Sequence, residues 1–173
     1  MLILVTGGSA SGKSEFAENK AAGFGGVKIY LAAMKPFGKS AAERIEKHRR
    51  NRAGKGFETA ERFTDIGGAK VSGTVLLEDL GNVIANEMFS GDTKINGDTE
   101  TELLAEKIFN DILTLYKSCE NLIIVSDNVF EDGCGYGAET EKYIELAGRL
   151  NIMTASSADE VWEVVCGTAE RIK

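Results

Sequence analysis

Hydrophobic positions along the chain fall in short runs separated by stretches of helical spacing. Leu2–Val5 is an apolar run that flows into a glycine-rich turn, the pattern of a buried parallel strand. Ser14 to about Ala22 follows as a predicted helix, stopped near Gly23, Gly25 and Gly26. Val27–Ala33 reads as a second strand and Ser40 to about Asn51 as a polar, arginine-rich helix. Thr74–Leu77 is a third apolar run, followed by a helix through Val83, Ile84 and Met88. Residues 90–101 are polar and glycine-containing and read as a loop. Leu104, Ile108, Ile112, Leu115 and Tyr116 then recur on one face of a long helix. Leu122–Val125 is the fourth strand, Ala138 to about Leu150 a helix, Val161–Val165 the fifth strand and Ala169–Ile172 a short edge strand. Alternation of this kind predicts one α/β domain over residues 1–173, with a mainly parallel sheet flanked by helices on both faces. In such sheets ligands sit at the carboxyl ends of the strands.

Composition narrows the function. The 173 residues are 43% hydrophobic, enough for a packed core, and the chain carries 20 glycines and a single proline, Pro36. A net charge of −7 disfavours general binding to nucleic acid or to an anionic membrane. No apolar run reaches the roughly 18 residues of a membrane span. The apolar start has no basic leader region, so a cytoplasmic protein is expected. Cys119, Cys134 and Cys166 lie far apart without a CxxC pair, so they read as reduced thiols rather than a disulfide framework or a zinc site. The acidity is uneven. Residues 44–55 hold six basic residues and one acid. Such an island fits either a specific anionic ligand or a solvated helix face.

The strongest chemical signal is Gly7-Gly8-Ser9-Ala10-Ser11-Gly12-Lys13-Ser14, a full match to GxxxxGK[ST], directly after a predicted strand and opening a predicted helix. Glycines let backbone N–H groups approach phosphate oxygens, and the helix N-terminus adds partial positive charge. Lys13 is placed to reach the β- and γ-phosphates, and Ser14 to ligate Mg²⁺. A second carboxylate for Mg²⁺ is expected at the end of a neighbouring strand. Glu78 and Asp79 after Val75-Leu76-Leu77, and Asp127 after Leu122–Ser126, both fit. No Asn-Lys-x-Asp segment is present, which argues against a regulatory GTPase.

His48 is the single histidine and lies inside the basic island. On a helix, Arg44, His48 and Arg52 share one stripe. A neutral imidazole among guanidiniums can attack phosphorus while the arginines neutralise phosphate oxygens. An exposed helix histidine is the plain alternative.

Several segments together resemble one family, the bifunctional adenosylcobinamide kinase / adenosylcobinamide-phosphate guanylyltransferases of cobalamin biosynthesis. Leu4-Val5-Thr6-Gly7-Gly8-x-x-Ser11-Gly12-Lys13-Ser14 is similar to its opening, and Tyr30-Leu31-Ala32-Ala33 to its second strand. Arg44-Ile45-x-x-His48-x-x-x-Arg52 resembles its Arg-Ile-x-x-His segment, with Glu58-Thr59-Ala60-Glu61 following. Leu76-Leu77-Glu78, Asn86-x-Met88-Phe89, Ala147–Asn151, Ala158–Val161 and the stretch from Gly167 to Lys173 extend the likeness over nearly the whole chain.

The resemblance implies a RecA-like P-loop NTPase fold and a homotrimer. It implies phosphorylation of adenosylcobinamide with ATP or GTP, then transfer of GMP from GTP through a GMP–histidine intermediate to give adenosyl-GDP-cobinamide. By motif, His48 becomes the guanylylated nucleophile and Gly7–Ser14 the phosphate loop. Ala32, Ala33, Met34, Arg49, Arg50, Asn51, Arg52, Glu61 and Glu78 become nucleotide contacts, and Glu78 rather than Asp127 joins Ser14 at Mg²⁺. The chain departs from the family pattern at Ser126–Gly133 and at Tyr143-Ile144-Glu145, positions that bear on corrinoid handling or the kinase step. Two other readings stand beside this one: a guanylyltransferase without the kinase step, and a non-catalytic nucleotide-binding regulatory module.

Overall fold

The computed structural model describes residues 1–36, 43, 45–46, 49–50, 52–89, 97–129 and 135–173, Asp98 by its backbone alone. Seven strands form one sheet: β1 (Leu2–Gly7), β2 (Lys28–Ala32), β3 (Phe57–Glu61), β4 (Thr74–Glu78), β5 (Asn121–Asp127), β6 (Glu160–Val165) and β7 (Thr168–Arg171). Their order is β3-β2-β4-β5-β1-β6-β7. All neighbours run parallel except β6 and β7, which form an antiparallel hairpin at one edge. The helices among the described residues are α1 (Lys13–Ala22), α2 (Leu80–Met88), α3 (Asp98–Lys117) and α4 (Ala138–Ser157), with a 3₁₀ turn at Ile66–Gly68.

The central strands are apolar at successive positions because both of their faces are covered. On β1, Leu2 and Leu4 face a core completed by Leu80, Ile84, Ile108, Ile112, Leu146 and Leu150 of α2, α3 and α4. Ile3 and Val5 face the opposite core with Ala17 and Ala21 of α1. Helices therefore lie on both faces, as the alternation predicts.

Three elements differ from the sequence reading. Phe57–Glu61 is a strand, β3, at the sheet edge beside β2. Residues 98–101 belong to α3 rather than to a loop: the Glu100 carboxylate accepts from the Gly97 N–H at 3.0 Å, tying down the helix start. The predicted loop's first residues, 90–96, lie outside the described ones. Helix α4 runs on to Ser157, past the expected end at Leu150, because Leu150 and Thr154 continue its buried stripe.

Candidate functional site

The carboxyl ends of the parallel strands converge where β1 passes into α1. A Cβ on Gly7 would overlap the Val164 carbonyl oxygen, so only glycine lets β6 pack this closely at the start of the loop. Gly12 sits at φ 97°, a left-handed conformation that turns the chain into α1. No side chain caps that helix. Its first-turn N–H groups remain available to an anion. The β6–β7 turn closes over the loop, with the Gly167 N–H donating to the Ser11 carbonyl at 2.8 Å. The Ser11 hydroxyl is buried without a hydrogen-bond partner, an orphaned donor inside a loop otherwise suited to phosphate. Gly8, Ser9 and Ala10 face solvent at its mouth.

Lys13 and Ser14 bind acids at the ends of two neighbouring strands, β5 and β4. The Lys13 ammonium lies 2.5 Å from Asp127 Oδ1 at the end of β5 and donates to the Gly8 carbonyl at 3.1 Å. The Ser14 hydroxyl donates to Glu78 Oε1 at 2.6 Å, at the end of β4. Asp79 caps α2 by accepting from the Asn82 N–H at 2.7 Å. Burial pushes the Glu78 carboxyl up to about 8, with the negative charges of Asp79 and Glu18 adding to the shift against the Ser14 hydrogen bond and Lys13. Burial likewise raises Asp79 to about 6, opposed by the Asn82 N–H. Carboxyls held this far above their ordinary range mark a cluster of acids shielded from water. Oxygen donors of this kind suit a hard cation such as Mg²⁺, which takes one or two protein ligands beside phosphate and water. The Ser14 hydroxyl and the Glu78 carboxylate therefore fit the metal. The other two acids each have a task already, Asp127 on Lys13 and Asp79 on the α2 N-terminus.

Beside this loop, across the ends of β2, β3 and β4, opens a pocket of about 350 Å³. Tyr30, Ala32 and Met34 form one wall, Thr59 and Glu61 of β3 another, Glu78 the side toward the phosphate loop, and Ile45, Arg49 and Arg52 the roof. Glu78 thus borders both the loop serine and the pocket. Arg52 is 7% exposed, and its guanidinium lies 3.3 Å from the centroid of the Tyr30 ring. Arg49 is exposed at the rim, 3.9 Å from the Glu61 carboxylate. The structure brings Ala32, Met34, Arg49, Arg52, Glu61 and Glu78 together around one pocket.

Two expected contacts lie elsewhere. The Ala33 methyl is fully buried in the core, and its carbonyl accepts from the Asn86 side chain at 2.8 Å. Arg50 is exposed and does not line the pocket. His48, Arg44, Asn51 and residues 130–134 lie outside the described residues.

Three residues outside the predicted site lie beside it. Tyr30 sits beneath Arg52, and its place in an apolar strand hid its role. Glu18, 1% exposed on α1, binds the Lys55 ammonium at 2.7 Å, a link between the phosphate-loop helix and the end of the basic island. Tyr143 of α4 comes close to Gly81 at the start of α2, and burial beside Asp79 and Asp127 pushes its phenol up to about 12. Its only signal in the sequence is that it departs from the family pattern.

The sequence model of the family described as "Cobinamide kinase / cobinamide phosphate guanyltransferase" matches residues 3–172. The chain is 32% identical over 189 aligned residues to "Bifunctional adenosylcobalamin biosynthesis protein CobU" of Escherichia coli (strain K12), with all of both chains covered. It is 29% identical over 190 residues, again with full coverage of both, to the protein of the same name from Salmonella typhimurium (strain LT2). The α/β fold is consistent with a P-loop NTPase, and the family match spans nearly the whole chain. The chain belongs to the cobinamide kinase / cobinamide phosphate guanyltransferase family.

Proposed function

We propose that this single-domain protein phosphorylates adenosylcobinamide with ATP or GTP and then transfers GMP from GTP to that phosphate, giving adenosyl-GDP-cobinamide. The observation that carries the reading is the shared position of Glu78: it accepts the Ser14 hydroxyl of the phosphate loop and also walls the arginine-lined pocket. A nucleotide laid across that boundary would set its terminal phosphates on the loop and its nucleoside in the pocket. Gly7–Ser14 cradle the phosphates, and Lys13, released from Asp127, neutralises the transferred group. Ser14 and Glu78 would hold Mg²⁺, which supplies charge neutralisation of the phosphate oxygens. Arg49 and Arg52 border the nucleotide.

In the second step the His48 imidazole attacks the α-phosphorus of GTP. A P–N bond forms, the α–β P–O bond breaks, and pyrophosphate leaves with the electron pair. The cobinamide phosphate oxygen then attacks the same phosphorus and releases the imidazole. Family membership supports this order of events, and so does the basic island around His48. We further propose that the protein acts in the cytoplasm as a homotrimer on a corrinoid substrate.

The test is mass spectrometry of the protein after incubation with GTP and Mg²⁺, beside His48→Asn. The wild type should gain one GMP, labile in acid and stable in base, and the variant none. An adduct of equal yield in His48→Asn would remove His48 from the mechanism. A wild type without any adduct would leave a kinase or a binding module.

A further inference from the structure

Arg52 is an unusual cation for a protein interior. It is 7% exposed, yet no carboxylate within salt-bridge distance of it occurs among the described residues. Its guanidinium carbon instead lies over the Tyr30 ring, 3.3 Å from the ring centroid, and Nη1 is buried without a hydrogen-bond partner. The difference matters chemically. A carboxylate partner would occupy the in-plane N–H donors of the guanidinium, whereas an aromatic ring engages only its face. The stack therefore stabilises the charge while leaving donors for a ligand oxygen.

The support beneath Arg52 is rigid. Tyr30 is the middle residue of β2, hydrogen-bonded between β3 and β4. Burial raises its phenol far above the ordinary range, so the ring stays neutral. The turn that carries Arg52 is pinned a second time. The Lys55 N–H donates to the Arg52 carbonyl at 3.0 Å, and the Lys55 ammonium is held by the buried Glu18 carboxylate of α1. Two anchors on separate elements thus hold the turn at residues 52–55, and with it Arg52 in the pocket wall.

We infer that Tyr30 and Glu18 are positioning residues for nucleotide binding: Tyr30 holds the Arg52 guanidinium by stacking, Glu18 holds its turn through Lys55, and together they fix Arg52 in the pocket wall for contact with a phosphate oxygen of the bound nucleotide. The inference rests on the reading above that the pocket takes a nucleotide, and the experiment separates the two.

Binding of α,β-methylene GTP, whose α–β bridge does not cleave, is measured by calorimetry, with the GTP dependence of self-guanylylation measured in parallel. Tyr30→Leu should weaken binding about tenfold, in line with a desolvated cation–π contact. It should raise KM for GTP by a similar factor with a smaller change in kcat. Tyr30→Phe keeps the ring and should restore both values to within about twofold of the wild type. Glu18→Gln should weaken binding several-fold, and it carries the test if Tyr30→Leu does not fold. Equal affinity in wild type, Tyr30→Leu and Glu18→Gln overturns the inference. Equal weakening in Tyr30→Leu and Tyr30→Phe overturns the stack as its cause. A wild type that binds the analogue but forms no adduct refutes the His48 step alone, and the affinity ratios still decide the roles of Tyr30 and Glu18. A wild type that does not bind the analogue overturns both.

Discussion

Replacing Lys13 by alanine separates the chemistry of the phosphate loop from its architecture. The ammonium is buried, 2.5 Å from Asp127 Oδ1 and 3.1 Å from the Gly8 carbonyl, at the mouth of α1. Two losses follow from its removal. The first is structural. The Asp127 side chain is 37% exposed, so water can solvate it once the partner is gone. Pairs of that kind contribute about 1 kcal/mol or less. For a chain of this size that corresponds to a melting temperature lower by about 2–4 °C. The second is catalytic. A preorganised donor aimed at developing phosphate charge contributes about 3–4 kcal/mol to the transition state, so kinase turnover should fall about 100- to 1,000-fold. The assay is ATP-dependent phosphorylation of adenosylcobinamide followed by chromatography, beside a thermal melt of the same preparation. Turnover within tenfold of the wild type would refute the role of Lys13. A collapse in melting temperature comparable to a core deletion would show that the lysine holds the fold rather than the phosphate.

Other outcomes follow from the same geometry. Gly7→Ala should destabilise the protein by several degrees or prevent folding, because its Cβ would overlap the Val164 carbonyl, whereas Gly8→Ala, with open space around the added methyl, should melt near the wild type. Thermal unfolding of the two proteins checks this, and equal melting points would contradict it. Glu78→Gln should raise the Mg²⁺ concentration for half-maximal kinase activity by about tenfold, and Asp127→Asn should not; a large shift confined to Asp127→Asn would transfer the metal role to Asp127. Thiol titration with Ellman's reagent at pH 8 should find Cys166 fast and Cys119 slow, since Cys166 is exposed while burial pushes the Cys119 thiol up to about 11. Loss of one fast equivalent in Cys119→Ser, rather than in Cys166→Ser, would reverse that order.

Where burial is two-sided, the sequence carries the fold openly. Leu2–Val5, Val75–Leu77 and Leu122–Val125 are apolar at every position because helices cover both faces, and β1 runs straight into the phosphate-loop motif. Strand β3 was hidden for the opposite reason. Phe57–Glu61 is a sheet edge with Glu58, Thr59 and Glu61 exposed, so it offers neither an apolar run nor a buried stripe. The start of α3 was hidden because Asp98–Glu100 are first-turn polar residues, whose composition is that of a loop until the Glu100–Gly97 hydrogen bond is seen. At the site, the motif located Lys13 and Ser14, but pattern alone could not distinguish the acids at the ends of β4 and β5. Three-dimensional contacts divide them: Glu78 takes the serine, Asp79 the helix cap and Asp127 the lysine. Tyr30 and Glu18 carry no site signal in the sequence, because an aromatic in a strand and an acid on a helix are ordinary until Arg52 and Lys55 are seen beside them.

The proposed function requires one chain to perform both transfers on a corrinoid. The most direct measurement follows adenosylcobinamide by chromatography and mass spectrometry in the presence of purified protein and Mg²⁺, with ATP alone, then with GTP added. A phosphorylated corrinoid should form with ATP, followed by its conversion to the GDP-bearing product with release of pyrophosphate when GTP is added. An unchanged corrinoid under both conditions, with nucleotide bound but never transferred, would contradict the proposed function.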